Sequence, residues 1–499
     1  MRVNIPGYKN KKVAEWGIPT SDGVNNCFRK ERARGMNRKY FLAICAMLLS
    51  NALQAQQGFV HERSHGYVWP EEKDVLEKLD RWQDLKFGVL FHWGLYSVPG
   101  IVESWSICSE DVDWIPRDST LSYEDYKKWY WGLKDRFNPV DFNPDQWSEV
   151  MQQAGMKYAI FTTKHHDGFC LFDSKETDFS IAHGPFGNHP KADAARFVFE
   201  AFRKKDFMVG AYFSKPDWHS QNYWWDYYAT PNRNVNYKIE RHPQRWENFR
   251  RFTYHQIEEL MTGYGDLDIL WLDGGWVAAP RQDIGMDDIA AMARRNQPGM
   301  LIVDRTIRGK YENYQTPERS IPAEQFPYPW ESCIPLSSDW GWIPDAKFKS
   351  PAEVIALLIE VTAKGGNLLL GVGPTPQGLI QPEVAVILKQ IGDWLDINGR
   401  GIYHTRITPQ YHSGNVWFTA AKDPQTLYAH YIPPHGEESP DFIEWEGNAP
   451  VRGTKMICLQ TNKPVKWRLV DNKTRITLPK MKNKTTLPLV FTYQKDIER

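Results

Sequence analysis

Asp273 closes the apolar run LDILWLDGG (267–275), with two glycines behind it and Trp271 and Trp276 on either side. A carboxylate at a strand end, beside backbone that lets a ligand come close, can serve as a nucleophile or base. The ordinary alternative is an Asp that caps the following turn. Four other apolar runs end in capable groups. FGVLFHW (87–93) carries His92, YAIFTTKHHD (158–167) carries His165 and His166, MVGAYFS (208–214) carries Tyr212, and LIVDR (301–305) ends in Arg305. Together these side chains can move protons, bind an anion and hydrogen-bond to hydroxyl groups.

Three histidines raise the question of a metal. Adjacent residues on an extended strand point to opposite sides, so His165 and His166 could share an ion only if the strand has ended. No H-x-H or H-E-x-x-H pattern supports ligation. The histidines suit hydrogen bonding to a polyhydroxylated ring better than metal ligation. Acid–base work at a glycosidic bond needs a second carboxylate. Candidates are Glu318 in YQTPE (314–318), Glu331 in YPWESC (328–333) and Glu103 in the first loop. Each alone also reads as a solvated surface glutamate. The stretch 311–342 is expected to be a long loop, and long loops over a barrel mouth often carry function.

The elements that would position these groups alternate in type. Apolar residues at three- and four-residue spacing predict helices over 123–137, 144–155, 193–206, 244–265, 287–298, 350–366 and 383–399. With NLLLGVG (367–373), six strands can be placed between them. Strands repeating with helices and presenting chemistry at one end describe a parallel (β/α)8-type barrel, whose site forms from the loops after the strands. Beyond about residue 404 the pattern changes to short alternating runs at 415–421, 426–432, 464–470, 474–479 and 487–493, which predicts a small antiparallel β-sandwich. The expected organisation is therefore an upstream segment with a leader (1–55), a catalytic barrel (56–403) and a C-terminal β-sandwich (404–499).

Composition narrows the function. The chain has 499 residues, with 61 basic and 61 acidic side chains, so no field favours nucleic acid. Its 22 tryptophans often lie beside polar residues, as in ESWSIC (103–108), DWHSQNYWWDYY (217–228) and SSDWGW (337–342). Flat apolar faces next to hydrogen-bonding groups suit sugar rings, although core packing accounts for part of them. Six scattered cysteines form no C-x-x-C pair, and a disulfide framework is not expected. Residues 36–55 (MNRKYFLAICAMLLSNALQA) read as a secretory signal peptide, with Ala55 at the −1 position, and no stretch is long enough to span a membrane stably.

Six strings then resemble the α-L-fucosidases of glycoside hydrolase family 29. They are WQDLKFGVLFHWGLYSVPG (82–100), AGMKYAIFTTKHHDGFCLFDSKETDFSI (154–181), LDILWLDGGW (267–276), DR…YQTPE (304–318), PWESC…WGW (329–342) and AKGGNLLLGVGPTPQG (363–378). The resemblance implies a secreted bacterial, periplasmic exo-α-L-fucosidase that retains configuration through a covalent fucosyl-aspartate. Asp273 matches the nucleophile. Glu318 and Glu331 match positions given the acid/base role in different branches, with Glu318 preferred. His92, His165, His166, Tyr212, Trp271 and Arg305 match ring-binding positions, and Trp340 or Trp342 would cover the C6 methyl. Many members read S-E-W in the first loop. This chain has Glu103-Ser104-Trp105, which displaces the Glu103 contact by one position and keeps Trp105 as a contact. Fucosylated oligosaccharides or glycoconjugates are the implied partners, no metal or organic cofactor is implied, and a homo-oligomer is compatible with the resemblance. Two other classes stay open: a carbohydrate-binding barrel without hydrolytic activity, and a metal-dependent hydrolase using the histidines.

Overall fold

A computed structural model describes residues 66–108, 117–226, 232–434, 436–478 and 485–495. The expected leader at 36–55, the segment before it, and Cys27 and Cys45 lie outside the described residues.

Seven parallel strands form the first sheet: β1 (Phe87–Phe91), β2 (Tyr158–Lys164), β3 (Met208–Ser214), β4 (Ile269–Asp273), β5 (Leu301–Asp304), β6 (Glu331–Pro335) and β7 (Asn367–Val372). Their order is β5-β4-β3-β2-β1-β7-β6. Six are the apolar runs read from the sequence. The seventh, β6, corrects the expectation of one long loop from 311 to 342. Its string ESCIP has no apolar run to announce it, yet it pairs with β7 from Glu331–Asn367 to Pro335–Gly371.

Residues 311–319 fill the gap between β5 and β6. They first fold back on β5, where Asp304 N–H donates to Tyr311 O and Asn313 N–H to Ile302 O. They then climb beside β6, where Glu331 N–H donates to Gln315 O and Cys333 N–H to Pro317 O. Pro317 has no N–H to give, so this last stave is irregular. The result is a (β/α)8-type barrel.

Period-two alternation sorts the strand residues. Ile269, Trp271, Tyr158, Ile160, Met208 and Tyr212 fill the interior, and Leu270, Leu272, Ala159, Phe161, Val209 and Phe213 face the helices. The interior set continues onto α1 (Lys73–Leu85), whose Val75, Leu79 and Trp82 close the floor, with Trp82 stacked on Tyr314 at 4.0 Å. The outer helices are α2 (Tyr123–Trp131), α3 (Pro144–Gln153), α4 (Ala194–Arg203), α5 (Pro243–Gly263), α6 (Met286–Asn296), α7 (Pro351–Ala363) and α8 (Pro382–Asn398). Pro opens α3, α5, α7 and α8, where a missing N–H costs nothing. A capping box between Ser350 and Glu353 starts α7. Gly365, at φ +93, turns the chain out of α7 into β7.

The C-terminal strands are β8 (Thr405–Arg406), β9 (His412–Ser413), β10 (Val416–Ala421), β11 (Thr426–Tyr431), β12 (Phe442–Glu446), β13 (Met456–Cys458), β14 (Lys463–Val470), β15 (Lys473–Thr477) and β16 (Leu489–Gln494). All pair antiparallel. The first residues of β14 lie on β13 and the rest on β15, so this strand passes from one layer to the other. The layers close on Phe418, Ile443, Trp445, Met456, Ile476 and Phe491, which gives the expected β-sandwich. Asp84, at the end of α1, ties barrel to sandwich through Arg406 (2.6 Å) and Lys422 (2.7 Å). Among the described residues, Cys108, Cys170, Cys333 and Cys458 are buried and form no disulfide.

Candidate active site

Asp273 is the last residue of β4, two positions above Trp271 on the same inward face. Its oxygens are held by three donors. Arg305 Nη1 lies 3.0 Å and Gly274 N–H 2.8 Å from Oδ1, and Tyr212 Oη donates to Oδ2 at 2.7 Å. Gly274 takes φ +86, and a Cβ there would lie 2.2 Å from the Pro216 ring, so only glycine lets this turn cradle the carboxylate. Burial alone would raise the Asp273 carboxyl. Arg305 and the hydrogen bonds from Tyr212 and Gly274 outweigh it and hold the group well below the usual aspartate range. Asp273 is therefore an anion at any working pH.

Arg305 follows β5 and bridges the mouth. Its Nη2 binds Glu318 Oε2 at 2.7 Å and its Nε donates to Thr316 Oγ1 at 3.1 Å. Thr316 and Glu318 alternate inward on the climbing stave. The guanidinium fork thus carries Asp273 on one arm and Glu318 on the other. Glu318 Oε1 accepts from Trp340 Nε1 at 3.1 Å, and a third of its side chain stays exposed.

The histidines converge on the same place. Strand β2 ends at Lys164, and His165 O accepts from Gly168 N–H in the turn that follows. The two rings therefore lie side by side, 4.3 Å apart, and do not diverge as strand neighbours would. His165 Nδ1 meets Ser104 Oγ at 2.5 Å, and His166 Nδ1 meets Ser214 Oγ at 2.7 Å. The Ser214 hydroxyl donates to Pro216 O, so His166 Nδ1 must carry the proton on that side. Its Nε2 is left as an acceptor, 3.8 Å from Asp273 Oδ2. His92 stacks on Trp340 at 5.2 Å, and its buried Nδ1 has no partner. Burial lowers His92 to about 3 and His166 to about 4, and takes His165 well below its usual value. All three are neutral near pH 7, which suits hydroxyl recognition.

Trp105 borders this cluster, with its ring 5.0 Å from His166, 5.4 Å from Trp218 and 5.7 Å from Trp276. The Arg233 guanidinium lies 5.3 Å over both Trp105 and Trp276. Trp340 belongs to the mouth. Trp342 lies against Gly100 of the first loop instead.

Two expected site residues lie beneath the mouth. Trp271 is buried under Arg305, whose guanidinium carbon is 4.4 Å above its ring. Glu331, the first residue of β6, is wholly buried in the barrel interior. It accepts from Tyr158 Oη at 2.8 Å and Trp271 Nε1 at 3.1 Å. It starts its strand where Asp273 ends one, so the barrel separates them. Glu103 is also buried, and its Oε1 accepts from Trp340 N–H (3.0 Å) and Gly341 N–H (2.9 Å). Sequence reasoning missed Ser104, Ser214 and Thr316, since a lone hydroxyl residue carries no pattern. Trp218 lay within an aromatic string that marked the region but not the residue.

Among the described residues, His165, His166 and Asp273 form the single group whose ligating atoms, all within 4.8 Å, could hold a metal. The donor set is a poor fit. Both Asp273 oxygens and both Nδ1 atoms are already engaged, and a guanidinium supplies the positive charge beside the carboxylate.

The sequence profile of the Alpha-L-fucosidase family matches residues 54–400. The chain is 29% identical over 374 residues to the tissue alpha-L-fucosidase of Mus musculus, covering 71% of this chain and 78% of that one. It is 27% identical over 430 residues to the plasma alpha-L-fucosidase of Homo sapiens, covering 81% and 86%. Among solved structures, alpha-L-fucosidase isoenzyme 1 from Paenibacillus thiaminolyticus matches with a TM-score of 0.71 at 27% identity, over 85% of this chain and 100% of that one.

Proposed function

The chain belongs to the alpha-L-fucosidase family, and from that premise we propose that it hydrolyses terminal α-L-fucosyl residues with retention, using Asp273 as nucleophile and Glu318 as acid/base. In the first step an Asp273 oxygen bonds to the anomeric carbon as the bond to the leaving oxygen breaks, and Glu318 gives that oxygen its proton. In the second, Glu318 takes a proton from water, the water oxygen bonds to the anomeric carbon, and the Asp273 carboxylate departs. His92, His165, His166 and Trp105 contact the sugar, and Trp340 offers a flat face to its methyl group.

The observation that carries this reading is the shared guanidinium. It binds both carboxylates at once, which suits the separation of roughly 5–5.5 Å that a retaining pair needs. Azide supplied to the Asp273→Gly variant should restore turnover of an aryl α-L-fucoside and give the β-fucosyl azide. Full activity of that variant without azide would refute the assignment.

Three further readings belong with this one. Fucosylated oligosaccharides or glycoconjugates are the substrates. The barrel ends and the sandwich begins near residue 404. The chain is exported, cut after Ala55 and held in a bacterial periplasm; among the described residues, no helix is long and apolar enough to cross a membrane. N-terminal sequencing of the exported protein checks the last point: a mature chain starting near Gln56 is expected, and an intact Met1 or Met36 start would contradict it.

A further inference from the structure

We propose that Glu103 is a positioning residue that fixes the acid/base Glu318 through Trp340; this rests on the assignment of Glu318 above.

Glu103 is a strained residue. Its backbone takes φ 25 and ψ −149, a region that side chains other than glycine rarely enter and that persists only where the surroundings enforce it. Those surroundings are two consecutive N–H groups. Trp340 N–H and Gly341 N–H converge on Glu103 Oε1 at 3.0 and 2.9 Å, the kind of backbone concavity that binds an anion. The turn they form is held from the other side as well. A Cβ on Gly341 would lie 2.9 Å from the Tyr96 ring, so 340–341 is pinned between Tyr96 and the Glu103 carboxylate.

What the turn carries is the Trp340 indole. Its ring stacks on His92 and lies 5.5 Å from the Arg319 guanidinium carbon, so the plane of the ring is defined. Its Nε1–H then points at Glu318 Oε1. Glu318 thus has two holds: Arg305 on Oε2, from the nucleophile side, and Trp340 on Oε1. The second is set by Glu103. A carboxyl that must both give a proton to a leaving oxygen and later take one from water needs its orientation fixed, and a misplacement of about 1 Å can cost about 100-fold in rate. Glu103 is 2% exposed and lies behind the turn, so the structure aims it at backbone and away from the open mouth.

The test compares Glu103→Ala, Glu103→Gln, Trp340→Phe and Glu318→Ala on two substrates: a fucosyl disaccharide with an unactivated alcohol leaving group, and an aryl α-L-fucoside with an activated one. Glu103→Ala should lose about 10- to 100-fold in kcat on the disaccharide and under about 3-fold on the aryl fucoside, with KM nearly unchanged on both. Glu103→Gln keeps an oxygen for the same two N–H groups and should recover most of the loss. Trp340→Phe removes the Nε1 donor with the five-membered ring and keeps a benzene ring; its kcat should show the same dependence on the leaving group and add little on top of Glu103→Ala. Equal losses of Glu103→Ala on both substrates would overturn the proposal, as would a raised KM with kcat preserved in that variant, which would mark Glu103 as a sugar contact. Should Glu103→Ala not fold, the Glu103→Gln and Trp340→Phe results decide. Glu318→Ala separates the two readings. If it shows no dependence on the leaving group, the acid/base assignment itself fails; if it does and Trp340→Phe does not, only the positioning role fails.

Discussion

Glu318 and Glu331 face the same barrel from different levels, and the difference between them shows what makes a carboxylate useful. Glu318 stands at the rim on the irregular stave, partly exposed, with a guanidinium on one oxygen and an indole N–H on the other. Glu331 lies buried in the interior, with Tyr158 and Trp271 as hydrogen-bond partners and Arg305 on the far side of the Trp271 ring. Burial pushes its carboxyl up to about 7, and the two hydrogen bonds offset this only in part. Trp271 separates the two environments: its edge serves Glu331 and its face lies beneath Arg305. A rim carboxylate can meet a glycosidic oxygen. An interior one knits the staves together.

The largest effect should come from removing each glutamate in turn. Glu318→Ala is expected to cost about 10²- to 10⁴-fold in kcat/KM on a natural fucosyl disaccharide, while Glu331→Gln stays within about 3-fold. Steady-state kinetics on both variants checks this, and the reverse ranking would erase the distinction between rim and interior.

Arg305→Met should cost about 100-fold or more in kcat/KM. It should also move the acidic limb of the pH profile upward. Arg305 holds the Asp273 carboxyl below its usual range, so without it Asp273 takes up a proton at higher pH. An unmoved limb would show that Arg305 does not govern Asp273.

Glu331→Gln should reveal itself in stability. The native carboxyl titrates near 7, above its usual 4.5, so the folded state favours the protonated acid. That contribution is present below pH 4.5 and is lost as pH rises toward 7. The amide mimics the protonated form, donating to Tyr158 Oη and accepting from Trp271. The variant should therefore gain on the native chain as pH rises through this window, by up to about 3 kcal/mol. Denaturant titrations at pH 4.5 and 7.5 measure it, and a difference that does not depend on pH would contradict the interior placement. Trp271→Phe is the smallest change. It leaves Glu331 Oε1 without its donor and should cost about 1–3 kcal/mol of stability, with little change in rate.

The same contrast explains how far the sequence could be read. Strands such as YAIFTTK and MVGAYFS are buried on both faces, so they appear as apolar runs, and their last residues mark the rim. Asp273, Arg305 and the paired histidines were legible for that reason. ESCIP and YQTPE are also staves, but Glu331, Thr316 and Glu318 occupy inward positions where apolar residues would have signalled a strand. The polar residues that make this part of the barrel useful are what hid it, and the expected long loop followed. Position along the chain could not tell Glu318 from Glu331, because their difference is one of depth. In the sandwich, β8 and β9 are two residues each and have no periodicity to read.

A nucleophilic Asp273 must bond covalently to the sugar. Incubation with 2-deoxy-2-fluoro-α-L-fucosyl fluoride, followed by proteolysis and mass spectrometry, tests it directly. The fluorofucosyl mass should appear on the peptide containing Asp273. A label on Glu318, Glu331 or any other residue would place the nucleophile elsewhere.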